Sequence, residues 1–189
     1  LMYGYEHLDV SKAVEYATEV LQMDKIDNWV VSKANILISR LDFQNGNYVK
    51  ARKLFSQVID VDNNSDGAEA MYMLIYLTYL DDSLEMAEQM IFDMSDNFSD
   101  DYFIAKAFIL LSDIYLDRGN SFQSKATLES IIDNYNGKEL KLIAQAKREI
   151  ILESEIIVND KIIENSYIDI FEDEIDYELL LEKKNDTIN

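Results

Sequence analysis

The stretch Ala105–Gly137, AKAFILLSDIYLDRGNSFQSKATLESIIDNYNG, contains two apolar series separated by a short polar interruption. The first series recurs at steps of three and four residues, the spacing of one helical face: Ala107, Phe108, Leu111, Ile114 and Tyr115. The interruption contains Gly119, which can adopt the positive φ that ends a helix. The second series is Ala126, Leu128, Ile131 and Ile132. The stretch therefore predicts a helix-turn-helix hairpin, and its two apolar faces need neighbours to cover them.

The same hairpin recurs earlier in the chain. Three equivalent turns contain Gly46, Asp82 and Gly119, and a small residue follows each turn after five positions: Ala51, Ala87 and Ser124. Larger apolar residues follow in the same order in each hairpin: Phe55, Ile91 and Leu128, and then Val58, Met94 and Ile131. The small residues are 36 and 37 positions apart. This period is typical of helical repeat proteins, whose units are stable only when stacked.

The periodicity predicts a repeat region over residues 1–159 and an acidic tail over 160–189. We divide the repeat region into a truncated first repeat, three full repeats and a capping helix: 1–28, 29–65, 66–101, 102–137 and 138–159. The chain has no proline and five glycines, a composition that disfavours β-turns and favours helices. The predicted fold class is an all-α solenoid of antiparallel helix pairs. The first residues, Leu1–Gly4, look like the end of a helix, so we expect a fragment of a longer protein.

The charge balance excludes some classes of partner. Asp and Glu outnumber Lys and Arg by 37 to 17, giving a net charge of −20. Nucleic acids are bound through clustered basic residues, so we predict no nucleic-acid binding. No apolar run is long enough for a membrane span, and we predict no membrane insertion of this chain. The absence of cysteine removes disulfides and thiolate chemistry.

The repeats resemble the tetratricopeptide repeat (TPR), in which a Leu and a small residue mark the first helix and an Ala marks the second. The matches in the first helices are Ile38, Leu74 and Leu111, then Ser39 and Ser112, and finally Tyr115; in the second helices they are Ala51 and Ala87. The departures are Ile75, Asp42, Thr78 and Ser124, and Asn63, Ser99 and Asn136 stand where the family has Pro. The resemblance covers about residues 1–158 and is closest to long bacterial arrays.

The resemblance implies that the first helices line a concave surface on which peptides bind. The expected partner-binding residues are Lys33, Arg40, Phe43, Glu69, Tyr72, Tyr76, Tyr79, Lys106 and Asp113, with Ile36, Gln44, Leu80, Ile109, Leu116 and Asp117 on the same surface. We expect the tyrosines to form its centre and Lys33 and Arg40 to read acidic groups. The alternative is that the tyrosines pack against flanking helices. A clamp for a C-terminal carboxylate is not expected, because only Lys106 of the five positions fits; the others are Ile36, Arg40, Met73 and Leu110.

Catalytic and metal sites are not expected. His7 is the only histidine, so nucleophilic and His-metal chemistry have no constellation. A hydrolase using carboxylates is the remaining enzymatic alternative. The polar run Asp62–Gly67 resembles the opening of a calcium loop, but position twelve is Met73 instead of Glu. We interpret the run as an inter-repeat loop and predict no metal and no cofactor.

The sequence thus predicts a non-catalytic adaptor or scaffold that binds a protein or peptide partner. The alternative is an architectural or self-associating spacer, whose groove is filled by its own acidic tail or by another copy. The tail carries −7 of the net charge and an apolar helical series at Ile168, Phe171, Ile175 and Leu179. It is therefore either one more helix that packs on or caps the stack, or a segment that binds a partner or another copy of the chain. The family resemblance alone favours the bacterial envelope or periplasm, with the cytoplasm as the alternative.

Overall fold

The computed structural model describes residues 10–61, 65–158 and 161. These residues form eight helices and no strand. Seven helices are α1 (Val10–Leu21), α2 (Asn28–Gln44), α3 (Tyr48–Val61), α4 (Ser65–Leu80), α5 (Leu84–Asn97), α6 (Asp101–Asp117) and α7 (Ser121–Asn134). The eighth, α8, spans 138–158. The predicted all-α class is confirmed.

The turns inside the three hairpins share one geometry. Gly46, Asp82 and Gly119 have positive φ angles of 75°, 58° and 72°. In each turn, the amide of the next residue donates to the carbonyl five positions earlier: Asn47 to Asp42 (2.8 Å), Ser83 to Thr78 (3.2 Å) and Asn120 to Tyr115 (2.8 Å). This is the hydrogen-bond pattern of a left-handed helix C-cap. The three turns predicted to be equivalent are therefore built alike, with Asp82 in the position that glycine takes in the other two.

The second helices bury the residues that the repeat pattern aligned. Ala51, Ala87 and Ser124 are completely buried, and so are the larger side chains one turn later: Phe55, Ile91 and Leu128. Ala51, Phe55 and Val58 of α3 pack with Ile36 of α2 and with Ala70 and Leu77 of α4. A second cluster joins α4, α5 and α6 through residues that include Ile75, Ile91 and Leu111. The core is therefore a series of interfaces between consecutive helices.

Each of the first seven helices packs against its neighbours in sequence. In addition, α2 contacts α4 and α4 contacts α6. Among the described residues, α3, α5 and α7 do not contact one another in this way. The helices α2, α4 and α6 therefore form a continuous row, as expected for the first helices of stacked repeats.

Hydrogen bonds and ion pairs between side chains connect the paired helices near the turns. The carboxylate of Glu88 on α5 accepts a hydrogen bond from the Tyr115 hydroxyl at 2.8 Å and pairs with Arg118. Burial alone would raise the pKa of Glu88, but the hydrogen bonds from Arg118 and Tyr115 outweigh it and lower the pKa. Arg52 of α3 similarly pairs with Asp81 at 2.6 Å. The turn regions are thus held by ion pairs as well as by the core.

The chain divides into two compact units, Leu1–Gln145 and Ala146–Asn189. In the first unit, α8 buries Leu140 and Ala144. In the second unit, the described end of α8 buries Ile151 and exposes four aliphatic side chains: Ile150, Ile156, Ile157 and Val158. The predicted tail over 160–189 lies outside the described residues except for Lys161, and so do residues 1–9. No helix in the described ranges has the length and apolarity needed to span a membrane.

The prediction of a polar loop over Asp62–Gly67 was wrong in its second half. Helix α4 begins at Ser65, so Ser65, Asp66 and Gly67 form its first turn. Asp66 is buried and accepts a hydrogen bond from Lys33, and a carboxylate is favourable at a helix N-terminus. This ion pair and the helix start explain the acidic residue better than a calcium loop does; residues 62–64 lie outside the described range.

Candidate functional site

The nine predicted partner-binding residues lie on the three helices of the continuous row. Helix α2 carries Lys33, Arg40 and Phe43, α4 carries Glu69, Tyr72, Tyr76 and Tyr79, and α6 carries Lys106 and Asp113. We call the side of α2, α4 and α6 that bears these residues the even-helix face. The repeat spacing places equivalent residues side by side on it, because the helices of the row are adjacent.

Aromatic rings run across this face without interruption. We define the aromatic strip as Tyr48, Phe43, Tyr76, Tyr79, Tyr72, Phe103 and Tyr102. The ring of Phe43 on α2 lies 6.0 Å from that of Tyr76 on α4, and Tyr72 on α4 lies 6.2 Å from Phe103 on α6. Within α4, Tyr72 and Tyr76 are stacked with centroids 6.4 Å apart. The strip therefore links all three helices of the row through ring contacts.

The tyrosines at the centre of the strip are half-buried. Tyr72, Tyr76 and Tyr79 pack against the core cluster of α4, α5 and α6, yet none of the three is fully buried. Burial, followed by the charges of Tyr76 and Asp113, raises the pKa of Tyr72 to about 12. Each ring therefore packs on the core with one side and keeps another side accessible.

The hydroxyl of Tyr79 connects the strip to α6. It donates a hydrogen bond to Oδ2 of Asp117 at 2.8 Å. This hydrogen bond, followed by burial, raises the pKa of Tyr79 to about 12. The contact fixes the orientation of the ring at the edge of the face and leaves Asp117 exposed to solvent.

Two of the three basic residues in the predicted contact set are paired with carboxylates of the chain itself. The ammonium of Lys33 lies 2.7 Å from the Asp66 carboxylate, and the Arg40 guanidinium forms a two-point pair with Glu69. Both pairs join α2 to α4. Because their charges are already compensated within the chain, Lys33 and Arg40 are occupied in holding the helix row together.

Lys106 has a different environment, because its ammonium lies against aromatic rings. The distance from Nζ to the ring centroid is 4.5 Å for Tyr72 and 5.7 Å for both Tyr102 and Phe103. Cations are attracted to the faces of such rings. Burial lowers the pKa of Lys106, and the charges of Glu69 and Glu139 oppose this effect. No carboxylate in the described part of the chain is within ion-pair distance of it.

The expectation that Ile36 and Ile109 lie on the binding surface was wrong. Only 3% of Ile36 and 8% of Ile109 is exposed, and Ile36 belongs to the core formed with α3 and α4. The two residues are equivalent to Tyr72 in the repeat. At this position the two isoleucines end inside the packed interface, whereas the longer side chain of Tyr72 is only half-buried.

Sequence reasoning missed Tyr48, Tyr102 and Phe103. Tyr102 and Phe103 lie in the first turn of α6, where the side chain of Asp100 caps both amides at 3.1 and 3.2 Å. The repeat offset of 37 aligns Phe103 with Asp66, which the sequence pattern alone places in a polar loop. With α4 beginning at Ser65, the same repeat offset places the first turn of α6, including Phe103, on the even-helix face.

Comparisons with known proteins do not add an identity to this geometry. No protein-family model matches the chain, and no curated protein is similar to it in sequence. In the described residues, no group of three or more His, Cys, Asp or Glu side chains is arranged to hold a metal ion. The resemblance to tetratricopeptide repeats therefore remains a prediction from the residues, whereas the all-α stack is observed.

Proposed function

We propose that this chain is a non-catalytic interaction scaffold that binds a peptide or protein partner on the even-helix face. The observation that carries the proposal is the aromatic strip: six of its seven rings lie on α2, α4 and α6, and the seventh, Tyr48 at the start of α3, contacts Phe43. Tyrosine brings a large contact area and a polar tip to an interface, and it is enriched among residues that dominate binding energies. A partly exposed strip of such rings is a suitable surface for an extended segment.

The packing of the strip supports this role because it limits the entropy lost on binding. Tyr72, Tyr76 and Tyr79 are held by the core, and Tyr79 is also held by Asp117. Side chains that are already ordered lose less conformational freedom when a partner binds. Lys33 and Arg40, which the sequence suggested as readers of acidic groups, support the surface through their pairs with Asp66 and Glu69.

A second candidate function is self-association as an architectural spacer. It is favoured by the exposed aliphatic side chains of the second unit: Ile150 (65% exposed), Ile156 (59%), Ile157 (55%) and Val158 (55%). Exposed apolar side chains on one helix face form a surface suited to association, and Ile150 and Ile157, two helical turns apart, share a face of α8. Sedimentation velocity of the wild type and of Ile150→Glu would test this candidate: a dimer that the substitution disperses supports it, and a wild-type monomer at high concentration contradicts it.

Site-specific photo-cross-linking in cells tests the principal proposal. A photoreactive amino acid replaces Gln44 or Leu116, two exposed positions on the even-helix face, in separate variants. Matched controls carry it at Gln89 on α5 or Phe122 on α7, which are also exposed. We expect a specific adduct from the first pair only. Adducts from the control positions alone would place the interface elsewhere, and the absence of any adduct would favour the spacer.

A further inference from the structure

Three aromatic rings surround the ammonium of Lys106 at the α6 end of the strip. We call Tyr72, Tyr102 and Phe103 the ring cage. The rings come from two different helices, and their centroids lie 4.5 to 5.7 Å from Nζ. Tyr102 is 38% exposed, so the cage opens towards solvent. The chain itself thus shows that this cage accommodates a cation.

The charges around the cage are predominantly negative. The carboxylates of Glu69 and Glu139 favour the charged form of Lys106, and the charge of Asp113 acts on Tyr72. Farther along the face, Asp117 is exposed. The other two basic residues of the predicted site, Lys33 and Arg40, are compensated by Asp66 and Glu69. The whole chain carries a net charge of −20, so its long-range field attracts cationic partners.

We propose that the even-helix face binds a peptide segment rich in arginine and lysine, and that one of its cationic side chains replaces Lys106 in the ring cage. This inference rests on the proposed function and specifies the chemistry of the partner. In the free chain, Lys106 occupies the cage and shields the rings from water. In the complex, its side chain moves into solvent and the partner's cation takes its place against Tyr72, Tyr102 and Phe103.

The exchange is energetically feasible because it replaces one ring–cation contact with another. Lys106 is partly desolvated in the cage, as its lowered pKa indicates, and its ammonium regains hydration when it leaves. An arginine gains more than a lysine, since its planar guanidinium stacks on rings and is more weakly hydrated. Neighbouring cations of the segment lie near Glu139 and Asp117, where exposed carboxylates steer and orient them.

The test compares three dye-labelled decapeptides by fluorescence anisotropy with the full chain. Each peptide alternates glycine with arginine, glutamate or glutamine. The protein variants are Lys106→Met, which removes the resident cation from the cage, Tyr102→Leu, which removes one ring, and Lys53→Met. Lys53 is exposed on α3, so its substitution removes one positive charge away from the cage. Circular dichroism melts establish that each variant is folded.

We expect only the arginine peptide to bind. Lys106→Met tightens its binding by about threefold beyond the effect of Lys53→Met, and Tyr102→Leu weakens it by about two- to fivefold, as the loss of one exposed cation–π contact predicts. The inference would be overturned if Lys106→Met and Lys53→Met bound the arginine peptide with equal affinity and Tyr102→Leu had no effect. Binding would then be explained by nonspecific charge attraction alone.

Two other outcomes also overturn it. Binding of the glutamate peptide that Lys106→Met abolishes would show that the face takes an acidic segment; the proposed function would stand and the inference would fail. Failure of all three peptides to bind would exclude recognition through the cage, while photo-cross-linking would still report on the proposed function independently.

Discussion

Ser124 offers a sharp test of the repeat packing, because its hydroxyl is buried without a partner. The side chain is completely buried, and its Oγ forms no hydrogen bond with any described group. The equivalent residues of the other repeats are Ala51 and Ala87, which are also completely buried. A buried hydroxyl without a partner costs about 1–3 kcal/mol. Ser124→Ala removes this cost and leaves the side chain that the site accepts in two other repeats.

We expect Ser124→Ala to stabilise the fold by about 1–2 kcal/mol, including a few tenths from the higher helix propensity of alanine. For a chain of this length, the gain raises Tm by about 2–8 °C. Differential scanning calorimetry measures the shift. Ser130→Ala in the same helix is the propensity control, since Ser130 is exposed. Ala87→Ser is the reciprocal control and should lower Tm by a similar amount. A Tm for Ser124→Ala at or below that of Ser130→Ala would refute the reasoning.

Further predictions concern the turns and the titratable groups. Asp82→Gly should stabilise the fold by about 0.5–1 kcal/mol, because Asp82 has φ 58° and glycine adopts this conformation without strain. Gly119→Ala should destabilise the fold by about 1 kcal/mol. The cause is the positive φ of 72°, since nothing lies within 4 Å of the added Cβ. Urea melts measure both, and a stabilised Gly119→Ala would contradict the argument. The free energy of unfolding should fall as pH rises from 10 towards 12, because the pKa of Tyr72 is about 12 in the folded chain and 10.0 in the unfolded chain. Tyr72→Phe should reduce this loss of stability by at most about 2.7 kcal/mol. An equal loss in the variant and the wild type would contradict the prediction. Glu88→Gln should lower the free energy of unfolding by about 1–2 kcal/mol at pH 7. This difference from the wild type should shrink once the pH is below 4.5, the ordinary pKa of glutamate, and vanish below the lowered pKa that Glu88 has in the fold. A difference between the urea melts that does not change with pH would contradict the role of the ion pair.

The sequence predicted the three hairpin turns and the class of the fold because their signals are local, whereas it placed the start of α4 too late. Gly46 and Gly119 mark C-caps directly, and the aligned alanines identified Asp82 as an equivalent turn without a glycine. The buried positions Phe55 and Ile91 followed from the same alignment, since a residue at a fixed distance from a turn faces the same neighbour in every repeat. Local spacing therefore predicted the class of the fold and its core.

The details of the even-helix face could not be read from spacing. Ile36 and Tyr72 are equivalent in the repeat, but the isoleucine ends inside the core and the tyrosine extends beyond it. The ion pairs of Lys33 and Arg40 depend on Asp66 and Glu69 of α4, and the polar run that contains Asp66 predicts a loop instead of a helix start. The ring cage around Lys106 depends on the relative positions of two helices. Contacts between helices require their packing geometry, which a single sequence does not specify.

The most direct test of the central claim is to map where a partner binds by NMR. Amide spectra of the isotope-labelled chain are recorded alone and with the partner that photo-cross-linking identifies, and the chemical-shift changes are assigned to helices. If the even-helix face is the binding surface, the largest changes fall on α2, α4 and α6 around the aromatic strip. Changes concentrated on α3, α5 and α7, with the strip unaffected, would contradict the account.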